Sequence, residues 1–218
     1  MKEFPFRLRG EHVPRCQRCA LHEILCVCKD LEPVQTQCRV SILMHIKEWA
    51  KTSNSGRVLH LALSNSEIRI RGRKDHPLET AGLEHSDYRN VVLFPSESAV
   101  SLSATWLAED PRPVHLIVPD GNWRQAKRML KREPLLNRLP QVCLPDGLPS
   151  RYRLRSHPDP KRVATFEAVA RALGILESST TQEKLEYIFD MAVERALWTR
   201  GRISAEDVTG GLPEIKKD

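Results

Sequence analysis

The sequence predicts an α/β domain built on a parallel β-sheet with helices packed against it. Three short apolar runs, at residues 40–44, 90–94 and 114–118, are nearly continuous, as strands buried on both faces are. Segments with helical periodicity lie between and after these runs, and strands that alternate with helices are typical of α/β folds. The 218 residues suit one globular domain with a small appendage.

Two further strands are predicted from segments in which polar and apolar side chains alternate. Residues 67–71 alternate polar and apolar side chains, which indicates an exposed or edge strand. Residues 152–155 alternate as well, so we expect Arg153 and Arg155 to face the same way on a strand.

The spacing of apolar residues, together with residues typical of helix ends, predicts three helices. A helix over residues 122–133 is stopped by Pro134 and carries one apolar face, formed by Trp123, Ala126 and Leu130. An Ala-rich helix over residues 164–173 is expected to end at Gly174. The longest helix is predicted over residues 181–200. We expect Trp49 and Trp106 to be core or helix-anchoring residues rather than base-stacking platforms.

Composition narrows the classes of function. Lys and Arg number 34 against 28 Asp and Glu, and the net charge of +6 favours a polyanionic partner. No apolar run reaches the ~18 residues of a membrane helix. The first dozen residues lack the apolar core of a signal peptide. We therefore expect a cytoplasmic protein with no membrane association.

A cysteine cluster near the start predicts a metal site. Its spacing is C-x2-C-x6-C-x-C, formed by Cys16, Cys19, Cys26 and Cys28. Four thiolates on two tight turns match the tetrahedral geometry of structural Zn²⁺, and full sulfur coordination leaves no open position for a substrate. The alternatives are four unligated cysteines packed as small apolar residues, or a ligand set that includes His12, His22 or Cys38.

Polar segments follow the predicted strands, where ligands of open α/β sheets bind. Asp120 follows the most apolar strand in the segment Asp-Gly-Asn-Trp, which opens the helix over residues 122–133. Capping of that helix is one interpretation of the segment. The helix also carries a row of basic residues opposite its apolar face, able to follow a phosphate backbone or simply to face solvent: Arg124, Lys127, Arg128, Lys131 and Arg132. A carboxylate beside such a row is placed to accept a proton from a nucleic-acid base.

These residues carry a resemblance to a known family. DGNWRQA at residues 120–126 resembles the Asp-x-Thr-Trp signature of the DTW-domain family, and the N-terminal cysteines match as well. The resemblance spans about residues 15–200 through further blocks: HIKE at 45–48, NSGR at 54–57, LFPS at 93–96, YRLR at 152–155 and ATFEA at 164–168. The family's Thr is Asn122 here, and we expect Asn122 to preserve the turn, because its side chain can also cap.

The resemblance implies both a fold and an activity. The fold is SPOUT-like, with the C-terminal segment threaded into a trefoil knot around the S-adenosylmethionine pocket. The activity is that of a tRNA-uridine aminocarboxypropyltransferase. Such an enzyme transfers the 3-amino-3-carboxypropyl group of S-adenosylmethionine to N3 of a tRNA uridine and releases 5′-methylthioadenosine. We expect the modified uridine to lie in the variable loop. Asp120 is then the general base, and the donor pocket involves Leu93, Phe94, Pro95, Ile117, Pro119, Gly121, Trp123, Arg155, Thr165 and Glu167.

Other interpretations of the same residues stay open. A SPOUT-type RNA methyltransferase shares fold and cofactor but delivers a methyl group. A zinc-containing RNA-binding module without catalysis explains the charge and the cysteines but not the Asp120 turn. Ribosomal RNA is an alternative acceptor to tRNA.

The expected organisation has three parts. Residues 1–38 form a zinc-binding segment, residues 39–203 the catalytic domain and residues 204–218 a C-terminal tail. We expect a monomer, because the zinc segment and the basic helix together give one chain two ways to hold tRNA.

Overall fold

A six-stranded sheet, with every pairing parallel, forms the centre of the part of the chain described by this computed structural model: residues 14–73, 77–147, 149–155 and 162–213. The strand order is β2-β1-β5-β3-β6-β4. The strands are β1 (Arg39–His45), β2 (Ser66–Arg71), β3 (Arg89–Leu93), β4 (Val100–Ser101), β5 (Val114–Asp120) and β6 (Gln141–Cys143). The three predicted apolar strands are β1, β3 and β5, and β2 lies at the sheet edge as predicted, so the α/β prediction is confirmed.

Seven helices accompany the sheet within the described residues. They are α1 (Ile46–Trp49), α2 (Ser55–Ala62), α3 (Ala104–Ala108), α4 (Trp123–Arg132), α5 (Pro134–Arg138), α6 (Thr165–Leu176) and α7 (Ser179–Thr199), and a 3₁₀ turn covers Glu23–Leu25. The predicted helices correspond to α4, α6 and α7. Pro134 ends α4 and also begins α5, because proline suits the first turn of a helix.

Two local predictions are wrong. Helix α6 continues past Gly174 to Leu176. A Cβ atom at Gly174 would lie 2.0 Å from Gln182 Oε1, so this glycine permits a close approach of α7 rather than a helix stop. Residues 152–155 form a turn and not a strand, since Arg153 and Arg155 pair with acidic groups on different elements, Glu194 and Glu48.

Alternate side chains of the central strands build two apolar layers. On one face Val40, Ile42 and Met44 of β1 pack with α2, α6 and α7. On the other face Leu43 and Ile117 pack with α4 and α5. Period-two alternation therefore places apolar side chains on both faces of β1 and β5, which explains their continuous apolar sequence.

The carboxyl end of β5 gathers the segments that form the site. Met44 of β1 pairs with Asp120 of β5, so these two central strands end together. Helix α4 begins three residues after Asp120, and the N-cap residue of α2 and the first residue of α6 reach the same carboxylate. None of the helices in the described residues combines the length and apolar character of a membrane span.

Candidate active site

Asp120 is a buried carboxylate held by two neutral donors. It is the last residue of β5 and is only 4% exposed. The Thr165 hydroxyl donates to its Oδ1 over 2.5 Å, and the Asn54 side-chain amide donates to its Oδ2 over 2.7 Å. The structure therefore joins three segments far apart in sequence around one carboxyl group.

Glycine lets helix α2 approach this carboxylate closely. A Cβ atom at Gly56 would lie 3.0 Å from Asp120 Oδ2 and 3.2 Å from Met44 Cε. Asn54 caps the same helix with its Oδ1, which accepts from the Arg57 amide, while its Nδ2 faces Asp120. One asparagine thus fixes both the helix and the carboxylate.

The surroundings favour protonation of Asp120. Burial raises the pKa of the carboxyl, because removing a charge from water disfavours the ionised form. The hydrogen bonds from Thr165 and Asn54 act in the opposite direction and lower it, and the nearby Glu48 carboxylate raises it. The net result is a raised pKa, which makes the ionised carboxylate a stronger base than an ordinary aspartate.

The turn after Asp120 is fixed by a capping box. Asn122 Oδ1 accepts from the Gln125 amide over 2.9 Å, and Gln125 Oε1 accepts from the Asn122 amide over 2.8 Å. A Cβ atom at Gly121 would lie 2.9 Å from Gln125 Cβ, so the turn requires glycine there. The prediction that Asn122 preserves the turn is confirmed, and the capping residue is Asn122 rather than Asp120.

Two cavities adjoin at this turn. One has a volume of about 540 Å³ and is lined by Asp120 and by polar side chains that include Lys51, Asn54 and Arg155. The other has a volume of about 720 Å³ and a more apolar wall, contributed by Leu93, Phe94, Pro95, Val118 and Pro119 among others. Gly121, Trp123, Arg162, Val163 and Thr165 line both.

An aromatic wall separates the two cavities. The ring centroids of Phe94 and Trp123 lie 5.3 Å apart, and the Arg162 guanidinium lies 4.3 Å from the centroid of the Trp123 ring. Flat rings beside an apolar cavity of this volume suit the adenine of a nucleoside ligand.

Two of the expected donor-pocket residues line neither cavity. Ile117 is completely buried between the sheet and α4. Glu167 is 3% exposed and accepts hydrogen bonds from the Ser150 hydroxyl and from the backbone amides of Arg151 and Ala164. Glu167 therefore ties the segment before α6 to the start of that helix, and so shapes the wall of the polar cavity.

A buried ion-pair cluster lies beside Asp120 and was not predicted. Glu48 is fully buried, and its carboxylate contacts Lys51 Nζ at 2.5 Å and Arg155 Nη1 at 2.8 Å. Burial raises the pKa of Glu48, but the two cations lower it by more, so the carboxyl stays ionised. Glu48 and Asn54 lie in two of the sequence blocks that resemble the DTW-domain family. That resemblance is the one feature of the sequence that points to these two residues. Nothing in the sequence points to Lys51.

The four predicted cysteine ligands lie together. Their sulfur atoms are all within 4.8 Å of one another. The Cys16–Cys28 and Cys19–Cys26 sulfur pairs are 3.8 Å and 3.7 Å apart. Zn–S bonds of ~2.3 Å in a regular tetrahedron put sulfurs about 3.8 Å apart, so the donor set fits Zn²⁺. Cys38 and His22 lie outside this group, and His12 lies outside the described residues.

The cysteine segment is built into the main core. Cys19, Leu21 and Val27 belong to the same apolar layer as α2, α6 and α7. Arg195 of α7, which is 2% exposed, donates to the Cys26 carbonyl and pairs with Asp30 at 2.7 Å.

The basic residues of α4 lie on the exposed face of that helix. Their five side chains are exposed, and within the described ranges none of them forms an ion pair: Arg124, Lys127, Arg128, Lys131 and Arg132. The row begins one residue after Trp123, so positive charge extends directly from the rim of the two cavities.

Comparison with known proteins identifies the family. The DTW-domain model matches residues 13–197, which is more than four fifths of the chain and includes the cysteine cluster, Asp120 and Thr165. The chain belongs to the DTW-domain family. No solved structure matches the chain significantly.

Curated proteins from other organisms resemble the chain over about three quarters of its length. It is 28% identical to tRNA-uridine aminocarboxypropyltransferase 2 of Macaca fascicularis over 76% of the chain and 57% of that protein. It is 28% identical to the enzyme of the same name from Drosophila melanogaster, over 75% of the chain and 67% of that protein. It is 29% identical to tRNA-uridine aminocarboxypropyltransferase A of Arabidopsis thaliana, over 74% of the chain and 72% of that protein. The chain thus spans a little under three fifths of the first of these relatives.

Proposed function

We propose that this protein is a tRNA-uridine aminocarboxypropyltransferase that uses S-adenosylmethionine as its donor. The observation that carries the proposal is Asp120, a buried carboxylate with a raised pKa where two cavities meet at the head of a basic helix. The names of the family members that resemble the chain support the same reaction.

The apolar cavity is the proposed site of the donor's adenosine. Leu93, Phe94 and Pro95 supply its apolar wall, and Trp123 offers a ring to the adenine. Its volume of about 720 Å³ lies in the range of small-ligand pockets. The sulfonium of the donor makes the adjoining carbon of the aminocarboxypropyl arm electrophilic. Because Gly121 and Thr165 line both cavities, we place that arm at the junction.

The polar cavity is the proposed site of the uridine. In the proposed reaction N3 of uracil bonds to the donor's γ-carbon, the carbon–sulfur bond breaks with its electron pair leaving on 5′-methylthioadenosine, and the N3 proton passes to Asp120. Thr165 and Asn54 hold the carboxylate in place for this transfer. Positioning of the reacting atoms also selects the arm over the methyl group, since both are attached to the same sulfur.

The remaining parts are assigned supporting roles. The α4 row is proposed to contact tRNA phosphates, and the cysteine set to hold one structural Zn²⁺. The SPOUT-like knot, the monomeric state, the cytoplasmic location and the three-part division of the chain stay predictions. So does the variable loop as the position of the uridine.

The direct test is a double-label assay. Purified protein is incubated with unmodified tRNA and S-adenosylmethionine carrying distinct labels on the carboxyl carbon and on the methyl group. We expect the carboxyl label alone to enter tRNA, with one 5′-methylthioadenosine formed for each label. Methyl label in RNA with S-adenosylhomocysteine would instead establish a methyltransferase. Transfer to ribosomal RNA alone would show that the acceptor is ribosomal RNA and not tRNA. Transfer to neither RNA would favour the interpretation of the protein as a zinc-containing RNA-binding module without catalysis.

A further inference from the structure

Trp49 is an exposed aromatic residue two positions before Lys51, which lines the polar cavity. It is 39% exposed at the end of α1, so of the two roles expected for it, core residue or helix anchor, the core role is wrong. Trp106, by contrast, is 6% exposed and anchors α3 as expected. The ring of Trp49 is therefore accessible to a ligand at the surface.

Arg57 packs against the Trp49 ring. The Arg57 guanidinium lies 4.1 Å from the centroid of the ring and donates to the Trp49 carbonyl over 2.5 Å. The same guanidinium donates to the carbonyl of Gln17, which lies between the zinc ligands Cys16 and Cys19. Arg57 thus connects the tryptophan to the cysteine segment, and one face of the ring is covered while the residue remains well exposed.

Basic residues flank Trp49 in the sequence and follow Gln17 on the cysteine loop that Arg57 contacts. Lys51, two residues after Trp49, lines the polar cavity beside Asp120. Lys47 is exposed on α1, and Arg18 is exposed at the tip of the cysteine loop. The acidic residue of α1, Glu48, is completely buried and is shared between Lys51 and Arg155, so one carboxylate faces two cations.

An exposed aromatic ring with basic residues near it is an arrangement that proteins use for unpaired nucleotides. Every base has a face that can stack on an aromatic ring, and the phosphates next to it attract lysine and arginine. A uridine that enters the polar cavity must leave its own stack, which also exposes its neighbours in the loop.

We propose that Trp49, supported by Arg57, stacks a base adjacent to the target uridine, and that the cysteine loop and Lys51 contact the neighbouring phosphates. This inference rests on the proposed function and adds to it a second tRNA surface, distinct from the α4 row. It also gives the zinc segment a role, because the cysteine loop positions Arg57 and through it the ring.

Binding of fluorescent unmodified tRNA, measured without the donor so that no transfer occurs, tests the proposal. We expect Trp49→Ala to weaken tRNA binding roughly tenfold, since the loss of one base–aromatic stack has an effect of that order. Trp49→Phe is expected to stay within about threefold of wild type. Tyr187→Ala is the matched control, since Tyr187 is 52% exposed and lines neither cavity, and it is expected to bind normally.

Two further readouts separate stacking from damage to the fold. Trp49→Ala is expected to retain its zinc and its affinity for S-adenosylmethionine. Photocrosslinking of wild-type protein to tRNA carrying a photoreactive base next to the target is expected to label Trp49 or its neighbours on α1.

Unchanged tRNA binding by Trp49→Ala, or a crosslink confined to other surfaces, would overturn the inference. If the wild type still transfers the aminocarboxypropyl group in that case, the proposed function stands alone. A wild-type protein that neither binds nor modifies tRNA would remove both.

Discussion

At the scale of single residues, the proposed chemistry depends on the protonation of Asp120. Burial raises the pKa of its carboxyl above the ordinary aspartate value of ~3.9, while the hydroxyl of Thr165 lowers it. A protonated carboxyl cannot accept the N3 proton. The rate of transfer should therefore fall as the pH falls through this raised pKa.

Replacing Thr165 tests that balance. Thr165→Val removes a donor to the ionised carboxylate, so the acidic limb of the pH–rate profile should move to higher pH. Thr165→Ser keeps the hydroxyl and should leave the limb in place. The measurement is the single-turnover rate of transfer across pH. An acidic limb that is the same in Thr165→Val and wild type would show that this hydrogen bond does not tune Asp120.

The residues around Asp120 show what the sequence alone can predict. Asp120 itself follows from its position after an apolar strand and before a basic helix. The contact with Asn54 does not, because Asn54 lies 66 positions away and reaches Oδ2 only once the chain has folded. The core role expected for Trp49 is wrong for a related reason: a tryptophan in a short segment gives no periodicity from which its exposure can be deduced.

At the scale of elements, the first turn of α4 forms the junction of the two cavities. Asn122 begins the helix through the capping box with Gln125. Loss of an N-terminal cap costs about 1 kcal/mol. Asn122→Ala should therefore lower the free energy of unfolding by about that amount, measured by urea denaturation. Asn122→Thr should be close to wild type, and equal stability of the alanine variant would contradict the role of the cap.

The exposed face of α4 should control affinity for RNA without affecting the donor. Removing one cation that binds a phosphate reduces the slope of log K against log salt by about 1. We expect Lys127→Ala to weaken tRNA binding and to reduce that slope by this amount, with unchanged affinity for S-adenosylmethionine. Lys184→Ala, on the exposed surface of α7, is the matched control. If tRNA binding by the two variants has the same dependence on salt concentration, the basic face of α4 does not contact tRNA phosphates.

Helix ends and short strands were predicted less well than the long elements. Gly174 has the sequence character of a helix stop, yet α6 continues, because the absence of a side chain there admits Gln182 of α7. Residues 152–155 alternate like a strand, but the pairing of Arg155 with buried Glu48 holds them in a turn. In both cases a tertiary contact outweighs the local pattern.

At the scale of the whole molecule, we expect the cysteine segment to contribute to stability through a bound metal ion, as well as to the proposed tRNA surface. Its cysteine loop supplies Cys19, Leu21 and Val27 to the main core and is fastened by Arg195. Removal of a metal from such a segment takes its binding free energy away from the folded state.

Metal content and thermal unfolding test this role. We expect one Zn²⁺ per chain, and we expect a strong chelator or Cys28→Ala to lower the unfolding midpoint by roughly 10 °C, since ~1 kcal/mol shifts a domain of this size by ~2–4 °C. Cys143→Ala is the control, because Cys143 lies in β6, outside the sulfur cluster. A chain that retains its midpoint without metal would contradict the structural role.

Asp120 ends the central strand β5 and is also the proposed general base. The most direct test of the proposed function is therefore the rate of aminocarboxypropyl transfer by Asp120→Asn. The substitution preserves shape but removes the base. We expect the single-turnover rate with saturating tRNA and S-adenosylmethionine to fall by ~10²–10⁴-fold, as for loss of a general base, while both substrates bind within about twofold of wild type. A variant that transfers the group at a rate near that of wild type would show that Asp120 does not take the N3 proton.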